Sequence, residues 1–159
     1  MVGGAAQARA PRSESRTRRR ELGGHEQPVN GTSELSKSKA RLRILIVEDF
    51  PIVALGIKTI LEDLGAEVVA VAPSAEDAIE AAEQHRPDVV FMDVDLGEGM
   101  DGVEAALAIR DRFGIRSVFL TGYGSIEVRE RAARADPIAI LDKVSSPRTI
   151  AQLLRSLAQ

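Results

Sequence analysis

The chain has 159 residues, enough for one domain with a full core, and it holds no cysteine, which excludes a disulfide framework and a thiolate metal site. No apolar run approaches the roughly 18 residues of a membrane span, the two histidines (His25 and His85) are too far apart in sequence to suggest a metal site, and four Phe and one Tyr are few for stacking on single-stranded nucleic acid. The net charge of −3 conceals an uneven split: residues 1–41 hold 9 Lys and Arg against 4 Asp and Glu, a net of +5, while the remainder holds 12 against 20, a net of −8, which argues against direct nucleic-acid binding.

Residues 1–41 are rich in Gly, Ser, Arg and Gln and have hardly any large apolar side chains. Such a segment cannot offset its ordering entropy, so a disordered basic tail is expected, with Arg18-Arg19-Arg20 most simply a solvated charge run. It lacks the apolar stretch of a signal peptide. From residue 42 onward the pattern changes. Ile44–Val47 reads as a strand ending in Glu48-Asp49. Pro51 suits a first helical turn, and Ile52–Leu64 closed by Gly65 has helical length. Glu67–Val71 is a second strand. Ser74 caps a helix through Gln84, with Asp77 in a box-like position, and Pro87 stops it. Asp88–Met92 is a third strand, apolar enough to be buried on both faces, and it runs into Asp93. A loop with three glycines follows, then a helix over Val103–Arg112 ending near Gly114. Ser117–Leu120 is strand four, and Thr121-Gly122-Tyr123-Gly124 is a loop. Ser125 caps a fourth helix to about Ala135. Pro137–Leu141 is strand five, and Ser146-Pro147 opens a last helix that runs to the end.

Five strands alternating with five helices predict an α/β fold, a doubly wound parallel sheet covered by helices on both faces. The flavodoxin-like order 2-1-3-4-5 is the natural choice. All strands of such a sheet send their carboxyl ends to one edge. That edge would gather Glu48 and Asp49 from strand one, Asp93 from strand three, Thr121 from strand four and Lys143 after strand five. Three carboxylates crowded together raise one another's pKa unless a cation compensates. An all-oxygen cluster suits Mg²⁺, which takes one or two carboxylates plus waters and phosphate oxygens. The chemistry suggested is Mg²⁺-assisted phosphoryl transfer with a carboxylate nucleophile.

The stretches Ile44-Leu45-Ile46-Val47-Glu48-Asp49, Val90-Phe91-Met92-Asp93-Val94-Asp95-Leu96, Leu120-Thr121-Gly122 and Leu141-Asp142-Lys143, with Met100-Asp101-Gly102, resemble the receiver domain of bacterial two-component response regulators over residues 42–159. The resemblance implies that Asp93 accepts a phosphoryl group from phosphohistidine on a sensor histidine kinase or histidine phosphotransfer protein. It implies Mg²⁺ held by Glu48, Asp49 and Asp93 with the backbone carbonyl of Asp95. Thr121 would hydrogen-bond the phosphoryl group and Lys143 would pair with its charge. The chain would be cytoplasmic and non-enzymatic beyond its own phosphorylation and dephosphorylation. With nothing after its fifth helix, it would act through a downstream protein target, without touching membrane or nucleic acid; a phosphorylation-dependent homodimer stays open. Two positions depart from the family pattern. Val144 stands where Pro usually follows the lysine, and Ile140 replaces an aromatic, for which Tyr123 is the nearest substitute.

Other features have plainer readings. Gly97 and Gly99 belong to a turn, since no phosphate-loop pattern follows a strand. His85 sits at a helix end as a dipole partner. Arg129, Arg131, Arg134, Arg148 and Arg155 form either a solvated face or an output surface. The apolar run Ile52–Ile57 exceeds one core stripe and is either extra core or a kinase-docking face. An alternative function is a small Mg²⁺-dependent phosphatase with Asp93 as nucleophile and Asp95 as general acid, though no cap or substrate-binding insertion accompanies it. A flavodoxin-like cofactor site is disfavoured because Glu48-Asp49 would repel a phosphate.

Overall fold

The computed structural model describes residues 40–122 and 126–159. The expected disordered tail, except for residues 40 and 41, and the roles considered for Tyr123 and Ser125 lie outside them. Five strands and five helices alternate: β1 (Arg43–Val47), α1 (Pro51–Asp63), β2 (Glu67–Ala72), α2 (Ala75–His85), β3 (Val89–Asp93), α3 (Gly102–Phe113), β4 (Ser117–Thr121), α4 (Ile126–Ala133), β5 (Ala139–Asp142) and α5 (Pro147–Leu157). All pairings are parallel and the order is β2-β1-β3-β4-β5, as expected. No helix among the described residues is long and apolar enough to cross a membrane.

Successive strand residues face opposite sides of a sheet, and here both sides are covered. Leu45, Val47, Val90, Met92 and Phe119 point into one cluster, against Ala78 and Ala82 of α2 and Val103, Ala106 and Ile109 of α3. Ile44, Ile46, Val89, Phe91, Val118 and Leu120 point into the other, against Leu61 of α1 and Ile150 and Leu154 of α5. That two-sided burial is why the central strands are apolar without alternation.

The helix ends follow local chemistry. Gly65 lies just past the cap of α1 at φ +89, with Gly65 N–H donating to Glu62 O and Ala66 N–H to Leu61 O. These are the paired bonds of a Schellman motif, which favours glycine at that position. Ser74 accepts from Asp77 N–H at 3.1 Å, but its hydroxyl donates to Asp77 Oδ2 at 2.7 Å, so the box is not the reciprocal backbone kind. The reciprocal box is at α3: Asp101 Oδ1 accepts from Val103 and Glu104 N–H, and Glu104 Oε2 accepts from Asp101 N–H, all at 3.0 Å. Ser146 caps α5, accepting from Thr149 N–H at 3.3 Å.

β5 begins two residues later than Pro137. Asp136 turns at φ +48, and the Arg116 guanidinium donates to the carbonyls of Asp136 and Pro137 at 3.0 and 3.2 Å. Pairing with β4 therefore starts only when Ile138 N–H reaches Ser117 O. α4 and α5 also stop two residues short of their expected ends.

Candidate functional site

The parallel pairing places the carboxyl ends of β1, β3, β4 and β5 along one edge. Val47 pairs with Met92, Asp93 with Leu120, and Thr121 with Asp142. Glu48 and Asp49 follow β1 directly, Asp93 and Thr121 close β3 and β4, and Lys143 follows β5. The structure thus brings the side chains of Glu48, Asp49, Asp93 and Lys143 together and places Thr121 at the end of the strand beside β3.

Asp93 is the centre of the arrangement and only 1% exposed. Its Oδ2 accepts from Lys143 Nζ at 2.7 Å, and its Oδ1 accepts from Asp95 N–H at 3.0 Å. Lys143 Nζ also lies 2.9 Å from Glu48 Oε2, as an ion pair without hydrogen-bond alignment. Glu48 Oε1 accepts from Phe50 N–H at 3.1 Å. Lys143 is held from behind by its own N–H, which donates to Thr121 O at 2.7 Å. One ammonium therefore serves two buried carboxylates.

Burial pushes the Asp93 carboxyl above its ordinary range, with the Asp49 charge adding to the rise and Lys143 opposing it. Burial likewise raises Glu48, against the Lys143 and Phe50 contacts. Burial alone would lower the Lys143 pKa, but contact with Asp93 and Glu48 outweighs it and the value rises. The cluster holds more negative charge than one lysine neutralises.

Carboxylate oxygens of Glu48, Asp49 and Asp93 come within 4.8 Å of one another, and Asp49 Oδ1 is buried without a hydrogen-bond partner. An all-oxygen, net-negative set with an unpartnered oxygen fits a hard divalent cation. The Asp95 side chain is exposed and stands outside this carboxylate set; its contact with the site is the backbone N–H to Asp93. Thr121 Oγ1 is buried, also without a partner, at the end of the strand beside β3.

Several residues named in the sequence take contacts that the sequence reading did not assign to them. Gly102 opens α3 so close to β3 that a Cβ there would overlap the Asp93 carbonyl oxygen. Asp101, expected only as part of a turn, caps α3 and pairs with Arg131. Asp101-x-x-Glu104 is a readable capping signature; the distance from Gly102 to Asp93 is not encoded in any local pattern. Arg129 pairs with Asp142 at 3.0 Å, so two of the five arginines considered for a basic face are engaged with acids. His85 does lie in the last turn of α2. In α1 the apolar run is only partly core: Ala54 is buried, whereas Ile52 and Leu55, with Phe50 before them, are exposed.

The family model of the response regulator receiver domain matches residues 44–155. The transcriptional regulatory protein PdtaR of Mycobacterium tuberculosis is 34% identical over 115 residues, covering 72% of this chain and 54% of that protein. The sensor protein GacS of Pseudomonas syringae pv. syringae is 36% identical over 118 residues, 70% of this chain and 13% of GacS. The chain spans about half the length of curated relatives such as PdtaR. Among solved structures, the signal receiver domain of a modulated diguanylate cyclase from Desulfovibrio desulfuricans G20 is similar with a TM-score of 0.70 at 29% identity, covering 75% of this chain and 94% of that one. A CheY-like receiver domain protein from Methanospirillum hungatei JF-1 gives 0.67 at 28% identity, with the same coverage.

Proposed function

The chain belongs to the response regulator receiver domain family, and from that premise we propose that it is a phosphoacceptor, phosphorylated on Asp93 by a histidine kinase or histidine phosphotransfer protein. The observation that carries the reading is the buried Asp93 carboxylate, hydrogen-bonded to Lys143 and set beside two further acids. A carboxylate oxygen of Asp93 attacks phosphorus, the P–N bond to the donor imidazole breaks, and its electron pair returns to nitrogen. The transferred group needs positioning and positive charge rather than covalent help. Lys143 supplies one charge. Mg²⁺, held by Asp49 and Asp93 with Glu48 and the Asp95 carbonyl, would neutralise the phosphoryl oxygens. The apolar side chains of Phe50, Ile52 and Leu55, exposed beside the site, would form the docking face for the histidine-bearing partner.

Magnitudes constrain how the signal leaves the site. Lys143 is already bonded to Asp93 before any phosphate arrives, so Thr121 is the one new charge-assisted contact among the site side chains. Such a bond contributes about 1.5–3 kcal/mol. Moving an equilibrium from 1:99 to 99:1 takes about 5.5 kcal/mol. Thr121 alone falls short of a full switch.

The test is direct. Incubate the chain with Mg²⁺ and acetyl phosphate and measure intact mass for wild type and Asp93→Asn. A single, slowly lost phosphate that depends on Asp93 is expected. Rapid turnover without an accumulated adduct would instead assign the chain to small-molecule phosphate chemistry and overturn the signalling role.

A further inference from the structure

At the sheet edge opposite Asp93, where Leu42 leads into β1 and Ala66 into β2, a cavity of about 390 Å³ opens between the end of α1 and the face of α5. Its size lies toward the small end of the range for small-molecule clefts, roughly 300–1,000 Å³. Ala151, Leu154, Arg155 and the cap residue Ala158 recur at the spacing of one helical face, and they line the cavity together with Leu42, Leu64 and Ala66. The hollow has a cause in the sequence. Ala66, Ala151 and Ala158 stop at Cβ where larger side chains would close the gap, so the leucines floor an open groove.

Charge marks this groove as more than a packing gap. No acidic side chain is among its lining residues, and its charged side chains are Arg41 and Arg155. Both are exposed, and among the described residues neither has a hydrogen bond or an ion pair. Arg155, in the last turn of α5, complements the helix dipole. Arg41 precedes β1 and belongs to no helix, so it has no such duty. Residues 42–159 carry a net of −8, and against that background two unpaired cations beside an apolar hollow stand out.

We propose that the groove binds a small amphiphilic carboxylate, an acyl-chain anion. Its apolar body lies on Leu42, Leu64 and Leu154, and its head takes charge-assisted hydrogen bonds from Arg41 and Arg155. α1 and α5 both end here and bring partial negative charge, which a singly charged carboxylate tolerates better than a doubly charged phosphate.

The experiment titrates decanoate, below its micelle concentration, into the isotope-labelled protein of full length and follows the backbone amide resonances. Saturable shifts are expected at residues 64–66 and 151–158. Acetate, the head without the body, and decyltrimethylammonium, a similar body with a cationic head, should leave those amides unmoved at equal concentration. R41Q/R155Q removes both charges from the surface and should weaken decanoate roughly tenfold, the scale of a hydrogen bond to a charged group. A151L fills the hollow from α5 and should abolish the shifts, while unchanged β3 and β4 amides show that the variant folds; if it does not fold, R41Q/R155Q decides. Absence of any saturable shift, equal binding of the cationic amphiphile, or undiminished binding by R41Q/R155Q would each overturn the site. Tighter binding of decyl phosphate than of decanoate would overturn the carboxylate as its ligand. Shifts of the same amides on raising protein concentration without ligand would give the groove to a second copy of the chain, and overturn the proposal as well.

Discussion

Gly102 and Thr121 show how single atoms set the site. A methyl group at Gly102 would meet the Asp93 backbone carbonyl, and backbone cannot rotate aside as a side chain can. Gly102→Ala should therefore cost about 1–3 kcal/mol, the range for overpacking, and slow phosphorylation by displacing Asp93. Urea melts and a phosphorylation time course check both effects, and unchanged stability would mean that α3 slides away freely. Thr121 predicts the opposite balance. Its buried hydroxyl has no partner, so removing the polar group forfeits no bond in the resting protein. Thr121→Val should leave stability within about 1 kcal/mol of wild type or raise it, keep phosphate uptake, and weaken phosphorylation-dependent partner binding. Full partner binding by phosphorylated Thr121→Val would remove Thr121 from the switch.

At the scale of elements, α3 depends on Asp101, which caps two backbone amides and pairs with Arg131. Burial works to raise the Asp101 pKa, but the Glu104 amide and Arg131 prevail and hold it below the ordinary carboxylate value. A depressed acid contributes stability that is present above its unfolded pKa and lost as pH falls through the folded one. Asp101→Ala should cost about 0.5–2 kcal/mol at neutral pH. Asp101→Asn keeps an accepting oxygen and should cost less, but its stability should fall less steeply below pH 4. Thermal melts across that range decide between capping and charge. The strands and the five strand-end residues were legible in the sequence because two-sided burial leaves apolar runs, and parallel pairing fixes where those runs end. The arginines of α4 were not, because a paired arginine and a solvated one look alike in sequence when their partners lie 13 and 30 residues away. The late start of β5 escaped for a similar reason: Arg116 holds the Asp136–Pro137 backbone from 20 residues upstream.

For the whole molecule, the parallel sheet concentrates charge at one edge. Residues 42–159 carry a net of −8, and three of their acids cluster at that edge, where one lysine pairs with two of them. The raised Asp93 and Glu48 pKa values mean that their ionised forms are less stable in the fold than in the unfolded chain. Folding at neutral pH thus opposes this cluster, and any divalent cation bound there stabilises the native state by mass action. At ten times its Kd the gain is about 1.4 kcal/mol, and at a hundred times about 2.7, worth several degrees in Tm for a domain of this size. MgCl₂ should therefore raise Tm where NaCl of equal ionic strength does not. Asp93→Asn should melt higher than wild type without metal, by on the order of 1 kcal/mol, because a buried charge is gone while Lys143 keeps Glu48. The same variant should lose most of the Mg²⁺ response, as should Asp49→Asn. An identical Mg²⁺ increment in Asp93→Asn and wild type would place the cation elsewhere. A lower metal-free Tm for Asp93→Asn would mean instead that the Lys143 hydrogen bond outweighs the repulsion it relieves.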